Sequence, residues 1–260
     1  MSRKEYAQEV AKLVNGEVKE VEKANGVILT GIIIKTDSNI KPCIYIDRMM
    51  DDGLTIEEAA DMVLDLTEKH ALTLDTNPVM DFEYIKPMLR ARLYNKATSA
   101  EVSRSAACYG FDDLIIIPYI DGIIENGCVK VNNNLLNAWN VSADEVLDIA
   151  EENSRQEASI KSMFDVMREA GFPVPEDVNG PITLIATNDR KNYGAYAIIA
   201  KLDDLKKRFK NGFTVIPSSV HECIVIDADD PSFDNMVQEV NAAEVNLEEQ
   251  LSNHAYRIAA

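Results

Sequence analysis

The chain has 260 residues, 46% hydrophobic and 27% charged, with 9 Pro and 11 Gly. That is the make-up of a folded protein, not of a disordered, collagenous or low-complexity one. Its 26 basic residues face 44 acidic ones, a formal charge of −18. Duplex nucleic acid and anionic membranes need a cationic footprint, so neither is an expected partner.

Tyr6, Val10, Leu13 and Val14 recur three or four apart, which predicts a helix over Ser2–Val14, stopped by Asn15-Gly16. Glu17–Lys23 alternates valines with charges, and Val27–Lys35 is a β-branched run. The Asn25-Gly26 pair between them predicts a hairpin with a two-residue turn. Lys41-Pro42 then breaks the ladder before a short apolar stretch, Cys43–Ile46. Thr55-Ile56-Glu57-Glu58 has capping-box spacing. Ile56, Ala59, Ala60, Val63, Leu64 and Leu66 make the stripe of a helix running to about His70. A second helix is expected over Asp81–Tyr94, bent or split by Pro87, and a third over Ala97–Cys108.

Leu114–Ile117 is apolar on both faces, the mark of a central strand. Gly122–Gly127 turns the chain and Cys128–Asn132 returns as its partner. Ser142-Ala143-Asp144-Glu145 is a second capping box, opening a helix through Val146, Leu147, Ile149 and Ala150. A further helix, about Ser159–Ala170, is closed by Gly171 and the loop Pro173-Val174-Pro175. Ile182–Thr187 and Gly194–Ala200 read as strands joined by the polar turn Asn188–Asn192. Leu202–Lys210 is a short helix ended at Asn211-Gly212, and Phe213–Ile216 pairs with Glu222–Ile226 around Pro217-Ser218-Ser219. Pro231–Leu251 is a final acidic helix.

Antiparallel hairpins interspersed with helices make the class α+β, not a doubly wound parallel sheet. The expectation is one compact unit, or two lobes of about 1–170 and 180–260 meeting near Ala170–Gly180. Cys43, Cys108, Cys128 and Cys223 stand singly with no Cys-x-x-Cys pair, so no thiolate metal site is expected, and no motif points to a cofactor. The opening Met1–Tyr6 lacks the apolar core, about 7–15 residues, of a secretory signal. No uncharged run approaches the roughly 20 apolar residues that span a bilayer. A bacterial-style cytoplasmic protein with reduced cysteines is the expectation.

Several segments taken together resemble an uncharacterised bacterial family, domain of unknown function 5688. They are Lys23–Gly31, Asn39–Ile46, Asp112-Asp113-Leu114, Ile149–Asn153, Ala186-Thr187-Asn188 with Gly194-Ala195, Ile216–Glu222, Glu239-Val240-Asn241, and Leu251-Ser252 with Tyr256. The resemblance runs in order over nearly the whole chain. It implies a single architecture typical of gut bacteria, and it implies no activity, cofactor or catalytic residue. Lys41-Pro42-Cys43 departs from the Ser-Pro-Thr that the family favours, so no hydroxyl chemistry rests there.

Two constellations suggest chemistry. A strand beginning at Ser219 would put Ser219, His221 and Cys223 on one face, with the Ser and His Cα atoms roughly 7 Å apart. That suits an activated nucleophile. However, Glu222 would point away, and the glycines of a nucleophile elbow are missing. The plainer reading is a turn whose hydroxyls bind local amides, followed by a hydrogen-bonded His. His221-Glu222 lacks the second His of a metalloprotease helix, so no metal site is expected. The second constellation is the turn Asn188-Asp189-Arg190-Lys191-Asn192. Asn188, Arg190 and Lys191 there suit a carboxylate or phosphate, although the plainer and favoured reading is a solvated hairpin turn using Asn and Asp for their turn chemistry.

From Asp227 to the end, eight acidic residues face one Arg, which suits an outward acidic face or a basic protein partner. Trp139, after Leu135 and Leu136, reads as a core anchor. The reading that follows is a binding or accessory protein acting through protein contacts or a small ligand. The alternative is a hydrolase or acyl-transfer enzyme using Ser219 and His221.

Overall fold

Ser2 opens the chain as a helix cap: its Oγ accepts the Glu5 N–H at 3.3 Å while Glu5 Oε2 accepts the Ser2 N–H at 2.8 Å. The computed structural model describes residues 1–35, 41–70, 77–123, 127–174 and 181–260, and the chain divides into two compact units, Met1–Asn77 and Pro78–Ala260. The expected lobe junction near Ala170–Gly180 and the end of the Pro173–Pro175 loop fall partly on 175–180, outside the described residues.

In the first unit α1 (Arg3–Leu13) leads into β1 (Gly16–Glu22) and β2 (Ile28–Ile34), an antiparallel pair with Val18 opposite Ile32. β3 (Cys43–Tyr45) joins the other edge of β2. α2 (Asp47–Asp51) and α3 (Ile56–His70) follow, the latter capped by Thr55 Oγ1, which accepts the Glu58 N–H at 3.2 Å. Tyr6, Ala7, Val10 and Val14 meet Ala59, Ala60 and Val63 over Ile32 in one buried cluster. Leu13, expected in the α1 stripe, is exposed instead.

The hairpin turn is one residue longer than expected. Asn25 and Gly26 both take positive φ, 58° and 71°, and the Val27 N–H donates to Ala24 O at 3.2 Å. Because the Lys23 N–H reaches Val27 O at 2.7 Å, three residues cross over, with Ala24 as the insertion. Among the described residues nothing lies within 4 Å of where a Gly26 Cβ would stand, so conformation is what resists a side chain there. Gly26→Val should cost roughly 1–2 kcal/mol, read as a lower urea midpoint. An unchanged midpoint would remove this account of the turn.

In the second unit the expected helix over Asp81–Tyr94 stops early. After α4 (Asn77–Met80), Asp81 caps α5 (Phe82–Ile85), and a 3-10 turn at Lys86–Met88 gives way to β4 (Leu89–Asn95). Pro87 has no N–H to continue a helix, and beyond it apolar Leu89, Ala91 and Leu93 alternate with Arg90, Arg92 and Tyr94. The helix expected over Ala97–Cys108 is replaced by turns, β5 (Arg104–Ser105) and a 3-10 turn at Ala107–Tyr109. There Ser105 Oγ takes the Ala107 N–H, a local bond that competes with helix.

β6 (Leu114–Asp121) is the expected central strand. β4 pairs along its whole length, while β5 and the returning β7 (Cys128–Lys130) share its other edge. Residues 124–126 of the expected turn lie outside the described ones. α6 (Asn133–Trp139) ends in the buried Trp139, whose Nε1 donates to Val79 O at 2.8 Å. α7 (Ala143–Glu157), capped by Ser142 Oγ on the Glu145 N–H, packs against β4 and β6.

The helix expected over Ser159–Ala170 is half strand. β8 (Ala158–Ser162) pairs with β9 (Thr183–Asn188), and only then does Ser162 cap α8 (Met163–Glu169). Gly194–Ala200, expected as a strand, is a turn leading into α9 (Ala197–Ala200), because β8 and β11 (Glu222–Ile226) already occupy both edges of β9. α10 (Leu202–Arg208) precedes β10 (Phe213–Ser219), the antiparallel partner of β11. The last helix, α11 (Ser232–Ala243), is shorter than Pro231–Leu251; a 3-10 turn at Leu247–Glu249 and β12 (Tyr256–Ile258) follow it. The five-stranded order is β12-β10-β11-β9-β8, antiparallel throughout, and the class is α+β. No helix among the described residues is long and apolar enough to cross a membrane.

Candidate functional site

Period-two geometry sorts the two sides of β4. Leu89, Ala91 and Leu93 are buried on one side, and Arg90, Arg92 and Tyr94 share the other with Tyr119 and Asp121 of β6. Arg92 lies there with its side chain only 7% exposed, its Nη2 donating to Asp121 Oδ1 at 2.6 Å. Its guanidinium carbon stands 4.4 Å from the Tyr119 ring centre and 3.8 Å from that of Tyr193, in cation–π contact with both. Arg92 Nε is buried with no hydrogen-bond partner among the described residues. The Arg90 Nε donates to Glu157, the last residue of α7, at 2.8 Å.

The third guanidinium comes from the loop after β9. Arg190 Nη2 reaches both Asp121 Oδ2 and Glu157 Oε2 at 3.1 Å, so Asp121 bridges Arg92 and Arg190. The loop is held in a costly shape: Lys191 and Tyr193 take positive φ, 52° and 51°, rare for residues with a Cβ. Asn188 clamps it, donating from Nδ2 to Asn192 O at 2.8 Å and accepting the Asn192 N–H at 3.1 Å. Gly194 then donates to His221 O at 3.0 Å.

His221 is the hub on the far side of this loop. Its Nδ1 accepts the Tyr193 N–H at 3.0 Å, which assigns the neutral ring proton to Nε2, 3.5 Å from Glu249 Oε1. Its carbonyl also receives Thr187 Oγ1 at 2.9 Å. Three of the segments that carry the family resemblance, Ala186–Asn188, Gly194-Ala195 and Ile216–Glu222, therefore meet at one point.

Arg90, Arg92, Asp121, Glu157, Arg190 and Tyr193 line one narrow cleft, with about 10 Å³ open to the centre of a water molecule. That is room for about one water. Three guanidinium groups face two carboxylates there, a surplus of positive charge on a chain of −18. Burial pushes the Glu157 carboxyl up, but Arg90 and Arg190 outweigh it and hold its pKa below the ordinary range. Burial also lifts the Tyr94 phenol far above its usual pKa, so it stays a neutral donor.

The residues singled out from sequence are dispersed by the fold. Arg190 enters the cleft, Asn188 closes the loop beneath it, and Lys191 turns away, 3.6 Å from Glu169. Ser219 ends β10 and does not begin a strand; its Oγ accepts the His221 N–H at 3.1 Å, the turn bond of the plainer reading. Among the described residues no hydrogen bond joins that hydroxyl to the imidazole, and Cys223 is buried on β11 with its thiol pushed up to about 12 by burial. A helical reading of Asp81–Tyr94 hides Arg90 and Arg92. Their alternation with Leu89, Ala91 and Leu93 was the signal, visible once Pro87 is taken as a stop.

No curated protein and no solved structure matches the chain. The family model described as Family of unknown function (DUF5688) matches residues 3–258, and the chain belongs to that family.

Proposed function

We propose that this is a binding protein whose ligand is a small anion held in the cleft of Arg90, Arg92 and Arg190. The observation that carries the reading is Arg92 itself: a guanidinium almost wholly withdrawn from water, with a buried Nε that makes no hydrogen bond to the described residues. An unmet buried donor is costly, and an anionic oxygen is the acceptor that would offset the cost best. The strained, clamped loop that delivers Arg190 supports the same reading, since such strain concentrates at ligand-binding sites. Acyl transfer through Ser219 and His221 has less support. A general base must face its hydroxyl, and here the Nδ1 lone pair is occupied by the Tyr193 amide.

Titration of the purified protein with acetate, benzoate, sulfate and inorganic phosphate, followed by NMR, tests this. Saturable shifts at the amides of 188–194 are expected, and Arg190→Gln should weaken the binding at least tenfold. A panel in which no anion saturates would remove the reading.

A further inference from the structure

We infer that the ligand of this cleft is a small monocarboxylate, and not a phosphate or other dianion; the inference rests on the anion-binding reading above. Three features of the same few residues lead to it. The first is charge. Three guanidinium groups are matched by Asp121 and Glu157, so the cleft carries one uncompensated positive charge. A single negative charge closes that balance. A second would face two carboxylates already in place, inside the field of a chain of −18.

The second feature is the set of donors left over. Arg190 spends Nη2 on both Asp121 and Glu157. Its Nε and Nη1 make no hydrogen bond to the described residues, and the side chain is 49% exposed, open to an incoming group. Arg92, almost wholly buried behind it, adds its positive charge and no accessible donor. Asp121 already joins the two guanidinium groups through its two oxygens, one on the Nη2 of each.

The third feature is room. The cleft admits about one oxygen-sized atom beyond those present. A planar carboxylate can offer one oxygen inward, toward the charge of Arg92, and leave the other on Arg190 at the mouth. A tetrahedral phosphate brings two further oxygens to the same narrow opening, against Asp121 and Glu157. Tyr193, stacked on Arg92 and tied through its amide to His221, forms the wall beside the entering group.

The experiment is a calorimetric comparison of acetate and benzoate with inorganic phosphate and methyl phosphate, at constant ionic strength and at a pH where the phosphates are mainly dianions. Wild type and Arg190→Gln are compared, with matched melting curves confirming that the variant is folded. Carboxylate binding at least tenfold tighter than either phosphate, and at least tenfold weaker in Arg190→Gln, is the expected result. Phosphate binding as tight as or tighter than carboxylate, and sensitive to Arg190, would overturn the monocarboxylate assignment while leaving the anion site standing. Carboxylate binding indifferent to Arg190 would place it elsewhere and overturn the assignment as well. No binding by any of the four would remove the anion-binding reading and this inference with it.

Discussion

Asp121→Ala should lose roughly 3–5 kcal/mol of stability, because it strands the Arg92 guanidinium in a place where water does not reach it. Both partners are largely withdrawn from solvent, with side chains 7% and 12% exposed for Arg92 and Asp121. Removing one charge leaves the other paying for its desolvation without a counter-charge. The loss should not be that of the pair as a whole. Replacing both by apolar residues, Arg92→Met with Asp121→Leu, should recover most of it, since a buried pair contributes little net stability over a packed apolar substitute. Urea denaturation of the two variants beside wild type measures this. A loss below about 1 kcal/mol in Asp121→Ala would mean that Arg92 finds water or another acceptor, and the account of its isolation from water would go with it.

Gly194→Ala is the second large effect expected, and its cause is steric. A Cβ there would lie 2.5 Å from Thr187 Oγ1 and 2.9 Å from His221 O, and closer still to the backbone nitrogen of Asn188. Two of these three neighbours are backbone atoms, so no side-chain rotation relieves the overlap. The Gly194 N–H to His221 O bond would have to lengthen, and with it the attachment of the loop that holds Arg190 and Tyr193. A cost of roughly 2–3 kcal/mol is expected, at the upper end for overpacking. Anion binding should fall alongside, because Arg190 loses its fixed approach to Asp121 and Glu157. The melting curve and the acetate titration read the two consequences separately. A variant that melts and binds like wild type would show the loop to be far more yielding than its packing implies.

Local signals in the sequence were sufficient for the elements that close on themselves. The β1–β2 hairpin, the capped helices after Thr55 and Ser142, the central strand from Leu114 and the β10–β11 pair each rest on residues within a turn or two of one another. Their caps, turns and periodicities act over distances that sequence reports directly. The acidic balance and the α+β class were legible in the same way.

What the sequence left undecided were segments whose form depends on a distant partner. Gly194–Ala200 is apolar enough for a strand, yet β8 and β11 already flank β9, so it folds into a turn and α9. Ala158–Ser162 continues a helical pattern, and pairing with β9 draws it into the sheet. The cleft belongs to this second kind. Arg190 was visible in its polar loop, but Arg90, Arg92, Asp121 and Glu157 lie from 33 to 100 positions earlier in the chain. Sheet register and the end of α7 bring them to it. Single Arg, Asp and Glu residues carry no mark of burial in a chain this rich in charge. Only tertiary packing, which excludes water from some of them, gives these their chemistry.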